Sequence, residues 1–152
     1  MGDVDLDDVN FERRDYDPFL AYGAAKTCNV LHAVEIDRRF RAAGVRAFSV
    51  HPGGIHTELG RYMTPEVIQS LMSRLSERPT ALTWKTPEQG AATTVWAATS
   101  SLLDGRGGEY CEDCNVSPVV DDEADAAIGV ASRAVDPTRA TALWELSERL
   151  VG

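Results

Sequence analysis

The chain has 152 residues, of which 43% are hydrophobic, so it fits one globular domain with a sizeable core and does not have the composition of a disordered protein. Its formal net charge of −9 argues against nucleic acids and anionic membranes as partners, because both need a basic face. No stretch approaches the ~18 apolar residues of a membrane span. The acidic start lacks the apolar core of a secretory signal, and we therefore expect a cytoplasmic protein.

The predicted elements begin with an irregular acidic segment over residues 1–18. From about Pro18 to Ala43 the apolar residues recur with a helical period, over an arc wider than the usual ~100° stripe. Such a helix is covered on more than one side, by a sheet and by a second helix or a second subunit. The helical period places Glu35, Arg38 and Arg39 on the remaining polar side.

A short β-branched and aromatic strand is predicted next, from Val45 to Val50 after a turn at Gly44. The Pro-Gly-Gly run at 52–54 ends it abruptly. A helix, a glycine turn and a strand that ends in a Gly-rich loop form half of an α/β unit. Because ligands gather beyond the carboxyl ends of strands in such sheets, residues 51–57 are the expected place of a ligand site.

Three further helices are predicted from their first residues, each of which pairs a capping side chain with a proline. They begin at Thr64-Pro65-Glu66, at Thr86-Pro87 with Gln89 completing a capping box, and at Asp136-Pro137. Between the last two, "GRGGEYCED" predicts a turn and a short strand. Residues 117–135 fit a loop, a partial helix or a mobile segment.

The three cysteines, an odd number, do not suggest a disulfide scaffold. Cys28 falls inside the first helix, where we expect a packing role. Cys111 and Cys114 form one C-x-x-C, for which a redox pair or half of a zinc site are the functional interpretations. Since there is no second C-x-x-C and all three histidines lie far upstream, we favour a structural role and expect no metal site.

Tyr22 and Lys26 lie four residues apart, on one face of the first predicted helix. A tyrosine acts as a general acid or base near neutral pH only if its pKa of ~10 is lowered, and a neighbouring ammonium has that effect. The spacing therefore has a proton-transfer mechanism behind it. Taken alone it is a weak signal, since helices contain many such pairs by chance.

The pair does not stand alone. The stretch "AYGAAKTCNVLHAVEIDRRFRAAGVRAFSVHPGGIHTEL" resembles the catalytic helix and the following strand of the short-chain dehydrogenase/reductase family, with Asn29 after the pair and Pro52-Gly53 ahead of Thr57. The resemblance covers nearly the whole chain. It is strongest to the retinol-dehydrogenase-like and WW-domain-oxidoreductase-like branch, through "LDDVNFE" and "EDCN".

The family resemblance implies an α/β fold: the C-terminal portion of a Rossmann-type doubly wound parallel sheet, with few strands and four to five helices. Residues 1–152 would then be part of a single NAD(P)-binding domain. Tyr22 would exchange a proton with a hydroxyl or carbonyl of the substrate, and Lys26 would lower the pKa of Tyr22 and hydrogen-bond the nicotinamide ribose. Together with Tyr22 and Lys26, the residues implied to bind NAD or NADP are Pro52, Gly53, Ile55 and Thr57.

The resemblance also implies a variable lid over residues 58–82 and a small alcohol or carbonyl compound as substrate. Candidate substrate contacts in this lid are Tyr62, Met63, Leu71, Met72 and Leu75. For the methionine and leucine residues, packing within the lid is the alternative role.

Two motifs of the family have no counterpart among the 152 residues. No serine precedes Ser49, and no G-x-x-x-G-x-G cofactor loop occurs. We therefore expect the C-terminal part of an oxidoreductase, inactive alone, whose uncovered helix 18–43 associates with a second copy. The alternative is a non-enzymatic module that binds itself or another partner through the same helix.

Overall fold

The computed structural model describes residues 2–55, 57–58, 61, 63–76, 84–121 and 128–152, without the side chains at 71–72 and 74–76. The helices are α1 (Pro18–Phe40), α2 (Pro65–Ser76), α3 (Pro87–Thr99) and α4 (Pro137–Val151). The strands are β1 (Phe48–His51), β2 (Gly54–Ile55), β3 (Trp84–Lys85), β4 (Glu109–Glu112), β5 (Asn115–Val116), β6 (Val119–Val120) and β7 (Val130–Ala131). The predicted α/β class and the three predicted helix starts are confirmed.

The central sheet has the strand order β1-β4-β5. Strands β1 and β4 are parallel, from Phe48 opposite Glu109 to His51 opposite Glu112. Helix α3 lies between them in the chain and packs on both, as a crossover between parallel strands requires. Strand β5 then returns antiparallel to β4. Two further parallel pairs, β2 with β3 and β6 with β7, lie outside this sheet.

Helix α1 is covered on two sides, as its wide apolar arc predicts. It packs on α4 and on strands β1 and β4. One core cluster joins Ala24 and Leu31 of α1 to Leu143 of α4, and a second joins Val30 to Tyr110 of β4. In the described part of the chain, no helix combines the length and the apolarity needed to cross a membrane.

The N-terminal segment is irregular, as predicted, but it belongs to the core. Val4 is buried between α1 and α4, and Leu6 packs against the same cluster. The carboxylate of Asp3 accepts two hydrogen bonds from Arg139 of α4, at 2.9 and 2.7 Å. The apolar residues that alternate with the acidic ones therefore attach this segment to both helices.

Strand β1 begins later than the predicted Val45 because the residues before it are bound to α1. Arg46 Nε donates a hydrogen bond to Asp37 at 2.8 Å, and the amide of Ala47 approaches the same carboxylate at 3.4 Å. Gly44, with φ of 82°, turns the chain at this point. Side-chain hydrogen bonds to the helix thus take the place of strand pairing over residues 45–47.

Glu35 is fully buried, although the helical period places it on the polar side of α1. Arg38 and Arg39 donate hydrogen bonds to its carboxylate at 2.6 to 2.8 Å, and Thr141 of α4 donates another at 3.2 Å. The hydrogen bond from Arg38 is the main reason why the pKa of Glu35 falls to about 2. The α1–α4 interface therefore contains a paired, charged carboxylate.

Acid should weaken the fold through Glu35. The pKa of Glu35 is lowered from 4.5 to about 2. The charged carboxylate therefore contributes fully to the free energy of unfolding above pH 4.5, and this contribution is lost as the pH falls toward 2. We expect Glu35→Gln to lower the free energy of unfolding at neutral pH by up to ~3 kcal/mol. The variant should then lose less stability than the wild type in acid. Urea unfolding at several pH values measures both effects.

The exposed Glu145 on α4 offers the matched control. Glu145→Gln should follow the wild-type stability curve at each pH. Parallel curves for the wild type and Glu35→Gln would show that the buried carboxylate does not carry the acid sensitivity.

Candidate active site

Tyr22 and Lys26 lie in the first turns of α1 with exposed side chains. The helix start is fixed by Asp17, whose carboxylate accepts hydrogen bonds from the amides of Phe19 and Leu20 at 2.8 Å, with Pro18 at the first helical position. Lys26 Nζ lies 5.0 Å from the centre of the Tyr22 ring. The positive charge therefore stands beside the phenol, as the spacing predicts, and the catalytic role of the pair stays a prediction.

The N-terminal end of α1 and the loop after β1 lie at the same end of the sheet. The chain reverses between Asp37 and Ala47, which are in contact. From Asp37 back to Tyr22 the helix rises ~22 Å. From Ala47 to Ile55 an extended chain advances at most ~26 Å in the same direction. The proton-transfer pair and the loop are thus both directed to the carboxyl edge of β1, where a ligand site is expected.

The loop after β1 is held against its neighbours at two glycines. Gly53 has a left-handed φ of 89°, and a Cβ there would lie 2.8 Å from Cδ and Cε of Lys85. The next two residues form β2, which pairs with β3. Ile55 packs on Gly90 of α3, where a Cβ would lie 2.0 Å from the Ile55 Cδ1 atom. The backbone of the loop is therefore enclosed by β3 and α3.

Gly90→Ala should destabilise the protein, against the usual preference of helices for alanine. In an open helix the change stabilises by up to ~1 kcal/mol. Here the new methyl group meets Ile55, and we expect a loss of ~1–3 kcal/mol, as for other overpacked sites. Adding Ile55→Ala removes the clashing atoms and should restore most of the loss in urea unfolding.

The control for Gly90→Ala is Thr94→Ala on the exposed side of the same helix, which should leave stability nearly unchanged. A stabilised Gly90→Ala protein would show that Ile55 does not pack on α3 in the way described.

The structure describes only part of the predicted binding residues. Pro52, Gly53 and Ile55 lie in the loop, and Thr57 is exposed just beyond it. In the predicted lid, Met63 is 42% exposed ahead of α2. Outside the described residues and side chains lie Tyr62, Leu71, Met72 and Leu75. Their contacts with a substrate stay a prediction.

The three cysteines are free thiols in different settings. Cys111 is fully buried in β4, and burial raises the pKa of its thiol to about 11. Cys114 is exposed in the hairpin turn, where its amide donates a hydrogen bond to Thr93 of α3 at 3.2 Å. Cys28 packs against the core of α1 and α4. Among the described residues no three His, Cys, Asp or Glu side chains form a metal-binding group.

The residues that support the loop were not identified from the sequence. An isolated glycine within a capped helix, such as Gly90, is a usable signal of close packing. Lys85 gives no such signal, because a single lysine ahead of a helix cap is ordinary on a protein surface. Its partner Asp113 lies in the hairpin turn between β4 and β5, 28 positions further along the chain.

A parallel strand pair with a helical crossover, a glycine loop at its carboxyl edge and a Tyr–Lys helix beside it are features of a partial Rossmann-like α/β fold. The chain is 38% identical over 151 residues to a short-chain dehydrogenase/reductase of Penicillium roqueforti, covering 99% of this chain and 43% of that protein. Over nearly its whole length, the chain is therefore a homologue of short-chain dehydrogenase/reductases.

Two animal proteins confirm the predicted branch. The chain is 37% identical to the WW domain-containing oxidoreductase of Danio rerio, covering 99% of this chain and 32% of that one. It is 31% identical to retinol dehydrogenase 14 of Homo sapiens, covering 99% of this chain and 40% of that one. The chain thus spans less than half the length of these relatives.

A solved structure supports the fold. The crystal structure of an uncharacterized protein from Mycobacterium paratuberculosis matches with a TM-score of 0.60 and 29% identity, over 98% of this chain and 45% of that chain. No family model matches the chain. The fold is accordingly a partial Rossmann-type α/β unit, as predicted.

Proposed function

We propose that this chain is the C-terminal part of an NAD(P)-dependent oxidoreductase that acts on the hydroxyl or carbonyl group of a small molecule. The observation that carries the proposal is the placement of Lys26 Nζ over the Tyr22 ring, at the end of α1 that faces the glycine loop. In reduction Tyr22 donates its proton to the carbonyl oxygen, and in oxidation it takes the proton from the hydroxyl. The ammonium of Lys26 stabilises the resulting phenolate.

The residues present fit the nicotinamide end of such a cofactor. Gly53 and Gly54 carry no side chain, so the loop adds little bulk on the sides that Lys85 and α3 leave open, where a flat ring can approach the backbone. The cofactor, when bound, supplies or accepts the hydride. Pro52, Ile55 and Thr57 would line its nicotinamide end, and Lys26 would hold the adjoining ribose.

The residues present do not fit the phosphate end of the cofactor. The 152 residues contain no glycine-rich phosphate loop and no serine ahead of Tyr22. We therefore propose that the 152-residue chain binds nicotinamide nucleotides weakly and is inactive alone. In the same proposal residues 1–152 are one part of a single NAD(P)-binding domain, with a lid over residues 58–82.

Self-association through helix 18–43 also belongs to this proposal, and a cytoplasmic location stays a prediction. Leu20 and Phe40 on α1 are 54% and 43% exposed, which supports contact with a second copy. Light scattering measures the mass in solution. A folded protein that stays monomeric at high concentration would contradict the self-association.

Titration with NADH and NADPH tests the proposed binding. Trp84 lies opposite Gly54 in the β2–β3 pair and is a natural fluorescence reporter. Replacing Trp96 and Trp144 by phenylalanine leaves Trp84 as the only tryptophan of the chain, so that the fluorescence reports on this residue. We expect quenching with millimolar affinity, weaker in Lys26→Met. Micromolar binding would contradict an incomplete cofactor site, and the absence of any quenching would count against the nicotinamide loop.

A further inference from the structure

Lys85 connects three parts of the structure around the loop after β1. Its strand β3 pairs with β2, and its side chain passes over Gly53. Its ammonium forms an ion pair with Asp113 in the turn between β4 and β5. The Lys85 side chain is only 22% exposed, whereas that of Asp113 is 75% exposed. The lysine stem is therefore laid against the loop and does not extend into solvent.

The partner of Lys85 is held in place by the fold. Asp113 and Cys114 have φ values of 49° and 55°, the left-handed conformation of a two-residue hairpin turn. The amide of Cys114 is hydrogen-bonded to Thr93, which is 1% exposed in α3. The ion pair thus joins the loop to a turn that is anchored on a helix.

The loop is contacted from a second direction by α3. Ile55 packs on Gly90, while Gly53 lies beneath the Lys85 stem. The two contacts are independent, because one is apolar and the other depends on a charge pair. Loss of the charge pair should loosen the Gly53 side of the loop and leave the rest of the fold in place.

We propose that Lys85 is a positioning residue, whose ion pair with Asp113 holds Gly53 and so sets the conformation of the loop Pro52–Ile55. The consequence for the reaction rests on the proposed function, since this loop is the surface offered to the nicotinamide ring. A competing role for Lys85, direct contact with a phosphate of the cofactor, makes a different prediction: the affinity would fall without any change in the loop.

Amide hydrogen exchange in the 152-residue chain, followed by NMR, tests the ion pair directly. Lys85→Met keeps most of the stem and removes the charge, and Asp113→Asn keeps a residue that tolerates the left-handed turn. In both variants we expect exchange at Gly54 and Ile55 to rise roughly two- to fivefold, the range that one exposed ion pair allows. Lys85→Arg should restore the wild-type rate.

The matched control is Arg106→Met. It breaks the pair with Glu109 at 3.0 Å, an exposed ion pair at the amino end of β4 and hence at the opposite end of the sheet. Its exchange rates in the loop should equal those of the wild type. Unchanged rates in Lys85→Met would overturn the positioning role, whatever the cofactor does.

Titration of the same samples with reduced nicotinamide mononucleotide measures whether the ion pair affects nucleotide affinity. A similar fall in affinity in Lys85→Met and Asp113→Asn, together with faster exchange, supports the proposal. A fall in Lys85→Met alone, with unchanged exchange, overturns it in favour of a phosphate contact. If the wild type does not bind the nucleotide, the proposed function fails, and the exchange rates alone still decide whether the ion pair holds the loop.

Discussion

Tyr22→Phe is expected to lower the turnover of the complete oxidoreductase by roughly 10²- to 10⁴-fold, the usual contribution of a general acid or base. The change removes one hydroxyl and leaves the ring, so the contact with Lys26 and the helix are kept. Because the proposed role of the lost group is proton exchange with the substrate oxygen, binding of NADH should change little. The effect should therefore appear in kcat and not in cofactor affinity.

The measurement needs a protein with a complete cofactor site. This chain matches 43% of the Penicillium roqueforti relative, and a chimera can replace the matched part of that relative by residues 1–152. Turnover is then followed by NADH and NADPH absorbance with a panel of apolar alcohols and the corresponding aldehydes and ketones. The 152-residue chain is assayed beside the chimera and should show no turnover.

Two variants make the result specific to the pair. Lys26→Met should lower both turnover and nucleotide affinity, because in the proposed mechanism the ammonium stabilises the phenolate and binds the ribose. Tyr16→Phe changes another tyrosine, 69% exposed in the N-terminal segment, and should leave turnover unchanged. Undiminished turnover of the Tyr22→Phe chimera would rule out Tyr22 as the proton donor.

The Tyr22–Lys26 geometry could be predicted because it is local. A capped helix fixes the relative position of residues four apart without reference to the rest of the fold. The loop at 52–55 is similar, since a Pro-Gly-Gly run must end a strand. What the family resemblance added was the role of these residues, which spacing alone does not supply.

The burial of Glu35 and Asp37 could not be predicted, because the segments that cover these carboxylates lie elsewhere in the chain. Glu35 accepts a hydrogen bond from Thr141, which is 106 positions away. Asp37 is paired with Arg46 across the turn into β1. The helical period places Glu35 on the polar side of the helix, because it takes no account of the elements that pack there. Only the tertiary arrangement shows that charged partners accompany them into the interior.

Gly107→Ala is expected to cost the fold roughly 3–5 kcal/mol, the range for breaking a buried ion pair. A Cβ at this position would lie 1.8 Å from the Asp37 Oδ1 atom and 2.7 Å from Nη2 of Arg46. Asp37 is 2% exposed. Burial alone would raise the pKa of Asp37, but the hydrogen bonds from Arg46 and Arg41 outweigh this effect and lower it. The carboxylate has no room to move without losing these partners.

The backbone at this glycine is also fixed. The amide of Gly108 donates a hydrogen bond to the carbonyl of Ala47 at 2.7 Å, which ties the start of β4 to the chain ahead of β1. The clash must therefore be relieved by moving Asp37. That displacement would detach Arg46 and loosen the junction between α1, β1 and β4.

A double-mutant cycle isolates this contact. In an Asp37→Ala background the new methyl group meets no carboxylate, and Gly107→Ala should cost much less than in the wild type when both are measured by urea unfolding. Gly105→Ala serves as the control, because its φ of 76° imposes backbone strain with no atom within 4 Å of the added Cβ. If Gly107→Ala lowers the free energy of unfolding equally in the two backgrounds, the added methyl group does not clash with Asp37. A large coupling would identify the Asp37–Arg46 pair as an element that joins the Tyr22 helix to the chain segment ahead of β1.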